Sequence, residues 1–189
     1  MNELRPRGVS WPAAPIRSGL RSLTPLLLAG LIGCSLLPAA QAADRVYQAR
    51  VTRVFDGDTL WVQPLPDGRY RKLRLDGLDA PEICQDGGVA SRDALAARVL
   101  QQVVTVRERA TDDYGRALVR LEFAGADVGA WMVSQGMAWS YRWRHSDGPY
   151  AEDEALARGQ RKGLFAAAAP EIPRDFRRRH GPCPLPPRP

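Results

Sequence analysis

From Val46 to about Phe123 the chain reads mainly as short strands, in which apolar and polar residues alternate with the period of half-buried strands. Ala49 and Val51, with Val54 beyond them, alternate with Arg50, Thr52 and Arg53 and predict a first strand. Asp56-Gly57 reads as a turn, and a second strand starts at Thr59-Leu60-Trp61-Val62. Pro66-Asp67-Gly68 marks another turn before a third strand over Tyr70–Leu75, with Leu73 and Leu75 on one face and Lys72 and Arg74 on the other. Asp79-Ala80-Pro81-Glu82 reads as loop, because Pro81 disfavours the helical region for its predecessor. Val103–Arg107 and Arg116–Phe123 predict a fourth and a fifth strand, the latter with Arg116 opposite Ala117, Val119 and Leu121.

The helical period shows in three places. Ala90–Gln102 places Leu95, Val99 and Gln102 on one side. Val128, Trp131 and Met132 form an i, i+3, i+4 stripe that Asp127 can cap, with Gly136 as its stop. A third helix is expected from about Tyr150 to Lys162, ended by Gly163. The result is an α+β, mainly β domain over residues 44–169, a five-stranded OB-type barrel with about three helices. Residues 170–189 are rich in Pro and Arg and read as a tail with little regular structure.

Residues 1–43 do not belong to that core. Arg17 and Arg21, an apolar run from Leu26 to Leu37 and the small-x-small site Ala40-Gln41-Ala42 describe an export signal. The expected product is periplasmic or secreted. The alternative is lipid anchoring: Leu31-Ile32-Gly33-Cys34 resembles a lipoprotein signal, and acylation of Cys34 is the one route to a membrane. The net charge of +6 falls to +3 when the four arginines and one acid of residues 1–43 leave. A mild positive balance is compatible with a polyanionic substrate without requiring one. Much of the surplus lies in Arg174, Arg177, Arg178, Arg179 and Arg188, a solvated tail or a nucleic-acid grip.

Cleavage leaves Cys84 and Cys183, an even pair in an oxidising compartment, which points to a disulfide; two free thiols are the alternative. A zinc site has no support, since His145 and His180 lack ligand spacing.

The remaining polar motifs suit one chemistry. Asp58, after the tight Asp56-Gly57 turn, and Asp79, in the loop after the third strand, converge if their strands pair. With the carbonyl of Ala80, water and a phosphate they would satisfy a calcium ion, which takes six to eight oxygens. A hairpin turn is the plainer account of Asp-Gly-Asp, and the better one for Asp56 alone. Arg74 and Arg116 offer planar forks that can each give a phosphate two hydrogen bonds and stay charged; pairing with Asp76, Asp112 or Asp113 is their bland alternative. Glu82, three residues after Asp79, is placed to deprotonate a water.

Taken together these motifs resemble the staphylococcal (thermo)nuclease family over about Val46–Phe165. The carrying residues are Asp56-Gly57-Asp58-Thr59, Arg74 with Asp79 and Pro81-Glu82, and Tyr114-Gly115-Arg116; Val133–Ala138 and Lys162-Gly163-Leu164-Phe165 add weaker matches. The resemblance implies metal ligands at Asp58, Asp79 and the Ala80 carbonyl. It implies catalytic roles for Arg74, Glu82 and Arg116, and nucleotide contacts at Tyr114 and Tyr141. It further implies a Ca²⁺-dependent enzyme that cleaves DNA and RNA with little sequence preference and leaves 3′-phosphates. Two departures stand out: a short stretch after Glu82 that contains Cys84 and Gly87-Gly88, and Tyr141-Arg142-Trp143 where the family has a tyrosine pair. No stable protein partner is expected. The competing reading is a catalytically silent OB-fold module that binds single-stranded nucleic acid, which would usually have lost one of these side chains.

Overall fold

The computed structural model describes residues 45–184 of the 189-residue chain. The export signal read over residues 1–43, with Cys34, lies outside the described residues. The chain runs through β1 (Arg45–Val54), β2 (Thr59–Pro64), β3 (Arg71–Leu75), β4 (Leu78–Asp79) and α1 (Gly88–Val99). It continues with β5 (Val103–Thr111), β6 (Ala117–Phe123), β7 (Ala126–Asp127), α2 (Val128–Ser134), β8 (Trp139–Ser140), α3 (Ala151–Gly159), a 3₁₀ turn (Gly163–Ala166) and α4 (Pro173–His180).

The strand order β3-β2-β1-β5-β6 closes on itself, because β3 also pairs in parallel with β6 through Leu73–Ala117, Arg74–Leu118 and Leu75–Val119. Closure leaves the barrel without an open edge. Alternation does the rest: Val51, Leu60, Val62, Leu73, Val106, Val119 and Leu121 turn inward and are fully or almost fully buried. Leu95 and Val99 of α1 and Met132 and Val133 of α2 pack into the same cluster. Asp127 caps α2, its side chain accepting from the Ala130 N–H at 3.1 Å. The fold is the OB-type α+β barrel expected from the periodicity.

Four local expectations change. α1 starts at Gly88 and stops at Val99, sooner than Gln102, because Gln101 N–H donates to the Val51 carbonyl (2.9 Å) and the Gln102 carbonyl accepts from Val51 N–H (3.0 Å). Pairing with β1 thus outweighs helix propensity there. Asp79, read as loop, ends β4, which pairs antiparallel with Trp139–Ser140 of β8. Arg116 sits in the turn before β6 rather than on the strand, where Gly115 has φ 73° and Asp112 organises the backbone. The segment after residue 169 carries α4, begun by Pro173 at its first turn and ended at Gly181.

β8 is itself held by a buried acid. Glu154 of α3, 1% exposed, accepts from Ser140 N–H (2.8 Å) and pairs with Arg142 (3.0 Å) and Arg158 (2.7 Å). Glu154→Ala would leave a buried N–H without its partner, which costs ~1–3 kcal/mol. A loss of about 2 kcal/mol in urea unfolding is therefore expected; a loss below ~0.5 kcal/mol would show that Glu154 does not anchor β8.

Candidate active site

Asp56-Gly57-Asp58 forms the tight connection from β1 to β2. Asp56 Oδ1 accepts from Asp58 N–H at 3.0 Å, an Asx turn. Gly57 is required for proximity: a Cβ there would overlap the Ser91 hydroxyl of α1 and lie 2.7 Å from Ala80 Cβ. The turn therefore brings Asp58 against the Ala80 backbone, whose N–H donates to Asp58 Oδ2 at 3.1 Å. The other Asp58 oxygen accepts from Thr59 Oγ1 (2.9 Å) and Arg74 Nη1 (2.8 Å).

Arg74 reaches both aspartates. Its Nη2 donates to Asp79 Oδ1 at 3.1 Å, so one guanidinium spans two carboxylates that are only 3% and 7% exposed. Burial works to lower the Arg74 pKa, but the charges of Asp58 and Asp79 outweigh it and hold the group above its usual value. Burial pushes the Asp79 carboxyl up, against the pull of Arg177 and Arg74. Burial beside Asp58 likewise pushes Asp56 up to about 7.

Glu82 follows Pro81 in the stretch leading to α1. Its backbone N–H donates to Gln85 Oε1 (3.1 Å), and its carbonyl accepts from Gln85 N–H (2.8 Å). Gln85 is in turn fastened by its Nε2 to the Glu171 carbonyl at 2.6 Å. Arg116 is held through Nε by Asp112 Oδ2 at 2.7 Å, the bland pairing foreseen for it, and its Nη groups carry no hydrogen bond among the described residues. Asp112 also receives the N–H groups of Tyr114 (3.0 Å) and Arg116 (2.8 Å). Burial pushes the Asp112 carboxyl up, but those contacts together outweigh it and hold the group below the usual carboxylate pKa.

These parts face one cleft of about 970 Å³, lined among others by Asp58, Arg74, Ala80, Glu82, Tyr114, Arg116 and Tyr141. Asp79 lies behind these residues, its oxygens accepting from Arg74 and Arg177. Tyr114 is 85% and Tyr141 43% exposed, so both present ring surface to solvent. Residues 72–167 match the family described as staphylococcal nuclease homologue. The chain belongs to the staphylococcal nuclease family. It is 36% identical over 143 residues to the micrococcal nuclease of Shigella flexneri, covering 70% of this chain and 81% of that protein. It is 38% identical over 151 residues to the protein ParB of Escherichia coli, covering 74% and 84%. An endonuclease of Haemophilus influenzae is 35% identical over 130 residues, 68% of this chain and 72% of that one. By family the chain is a staphylococcal-type nuclease. The family match leaves out Asp58 on one side and Arg177 and Cys183 on the other.

The donor chemistry of the Asp58–Asp79 pair suits a hard cation: both are carboxylates, both buried, close enough to share one guanidinium. Among the described residues no group of three or more His, Cys, Asp or Glu side chains forms a metal cluster. Backbone oxygen, water and phosphate would have to complete the shell.

One side chain of the cleft escaped the sequence reading. Arg177 of α4 donates from Nη1 to Asp79 Oδ1 (3.2 Å) and Glu82 Oε1 (2.8 Å), and from Nη2 to Asp79 Oδ2 (3.1 Å). Its pKa is raised by these carboxylates despite burial. Cys84 and Cys183 are disulfide-bonded across 99 residues, and that bridge places α4 beside Glu82. The two cysteines carried the missing signal: one lies two residues after Glu82 and the other six after Arg177.

Proposed function

We propose that the chain is an exported, calcium-dependent endonuclease that hydrolyses phosphodiester bonds in DNA and RNA with little sequence preference. The observation that carries this reading is the meeting of Asp58, Arg74, Glu82 and Arg116 on one cleft, with Asp79 reached through Arg74. Asp58, Asp79 and the Ala80 carbonyl would hold the cation, which when bound supplies positive charge beside the scissile phosphate.

Arg74 and Arg116 address the phosphate. Negative charge spreads over its non-bridging oxygens as a fifth oxygen approaches, so fixed guanidinium forks stabilise that state more than the ground state. Glu82 accepts the proton of the attacking water. The P–O5′ bond breaks, the 5′-oxygen leaves as a hydroxyl with a proton from solvent, and the phosphate stays on the 3′ side. Every one of these groups addresses phosphate or water, which is why base identity matters little. Tyr114 and Tyr141 offer exposed rings on which the sugar and base can rest. Export through residues 1–43, with lipid attachment at Cys34 as the alternative, fits an oxidised Cys84–Cys183 pair.

Two outcomes test the assignment. Glu82→Gln keeps the shape and removes the base, so cleavage should fall by about 10²–10⁴-fold; near-normal turnover would remove Glu82 from the mechanism. Asp58→Asn should raise the calcium concentration needed for half-maximal cleavage by at least about tenfold, since a charged ligand is lost. An unchanged calcium requirement would show that Asp58 is not a ligand.

A further inference from the structure

Arg177 and a divalent cation compete for Asp79. The guanidinium takes both of its carboxylate oxygens and one oxygen of Glu82, and Arg74 takes Asp79 from the other side. A guanidinium held on Asp79 also repels a cation brought to the same carboxylate, so the two compete in charge as well as in contacts.

We propose that Arg177 is a resident counter-charge of the cation site, which the ion must displace before Glu82 is free to take a proton. Arg177 is thus the side chain that sets how much cation the nuclease needs. The placement is built in. α4 is fastened on one side by Gln85 to the Glu171 carbonyl and on the other by the Cys84–Cys183 bridge. A tethered group competes at a high effective concentration, and cutting the tether lowers it. Breaking the disulfide should therefore favour the cation in the same direction as removing Arg177. The proposal rests on the reading of Asp58 and Asp79 as cation ligands.

The test is calorimetric titration of calcium into the purified, oxidised chain without nucleic acid. Arg177→Gln, which keeps the bridge, is expected to bind calcium at least about tenfold more tightly, the scale of a lost charge-assisted contact. The double variant Cys84→Ser with Cys183→Ser should shift affinity the same way by a smaller factor. Equal or weaker binding by Arg177→Gln overturns the proposal and leaves the nuclease reading standing. Binding by neither protein overturns both the proposal and the calcium assignment, while DNA cleavage measured in parallel still judges the nuclease.

A separate observation concerns the outer face of the barrel. Register places Arg53 of β1 opposite Trp61 of β2, and Trp61 opposite Lys72 of β3. Trp61 lies 6.3 Å from the Phe55 ring and 6.4 Å from the Tyr70 ring, and Trp61 and Tyr70 are exposed. Arg53 and Lys72 stand over Phe55 at 4.6 and 5.1 Å. This group holds three aromatic rings and two cations. Lys72 also lines the cleft and shares the outward side of β3 with Arg74, so the patch continues the phosphate-facing surface.

We infer that this row is a stacking track for single-stranded nucleic acid leaving the cleft, rings taking bases and cations taking phosphates. It too rests on the nuclease reading. Fluorescence anisotropy of labelled oligothymidylates of increasing length, in excess chelator so that nothing is cut, measures it. Affinity of the unaltered chain should rise with length, and Trp61→Ala should weaken the longer oligonucleotides by about tenfold, the loss of one stacked base. Equal length dependence in both proteins overturns the track. Absence of any binding by the unaltered chain overturns it too, whereas cleavage with calcium restored reports on the nuclease independently.

Discussion

Arg116→Ala is expected to reduce cleavage by about 10²–10³-fold with the fold intact, the usual cost of losing one fixed donor to a developing charge. The position of Arg116 and its contacts motivate that expectation. Arg116 reaches the cleft from a turn whose shape depends on Asp112 accepting backbone N–H groups of Tyr114 and Arg116, and alanine keeps both N–H groups. Its side chain adds the Nε contact to Asp112 and a place over the Tyr114 ring at 5.4 Å, in a partly exposed setting where such contacts contribute modestly to stability. The drop should fall on kcat rather than KM, because the guanidinium is worth most when charge has developed. Arg116→Lys should recover only part of the rate, since an ammonium cannot reproduce the two-point fork. Turnover within a few-fold of the unaltered protein would remove Arg116 from the mechanism.

Loss of the disulfide is the second large effect. A closed loop of roughly 100 residues predicts a contribution of up to ~4.7 kcal/mol in the chain-entropy description, and native bridges commonly give ~2–4 kcal/mol. The lower range is expected here. Once the bridge is gone, α4 can detach while the barrel stays folded, so the loss is limited to the free energy that docks α4. The polar contacts that dock it include the Arg177 ion pairs to Asp79 and Glu82 and the Gln85–Glu171 hydrogen bond. Cys183→Ser should thus lower stability in urea by about 2–4 kcal/mol, and dithiothreitol should do the same to the unaltered chain. A change under ~0.5 kcal/mol in both would mean that the bridge does not secure the native state.

Where alternation was regular the chain could be read directly. Val51, Leu73, Val106, Val119 and Leu121 announce their strands and their inward faces, and the barrel follows from burying them together. The cleft was legible for a similar reason: Asp58, Arg74, Glu82 and Arg116 lie in short motifs set by tight turns and by Pro81. Long-range choices were harder. Gln101 and Gln102 look helical locally and leave the helix because Val51 offers backbone partners. Arg177 looks like one of several tail arginines, and only the bridge made by a cysteine six residues later takes it to Glu82. Glu154 carried no periodic signal of burial, since its partners Ser140, Arg142 and Arg158 come from a short strand, its flank and its own helix.

Cleavage of single-stranded DNA by the purified chain, in calcium and then in excess chelator with Arg116→Ala alongside, decides whether this cleft is a metal-dependent nuclease site. Rapid cleavage that stops with chelator and falls by orders of magnitude in the variant is expected. DNA bound by a folded protein but left uncut in calcium would overturn the nuclease assignment and favour a silent binding module.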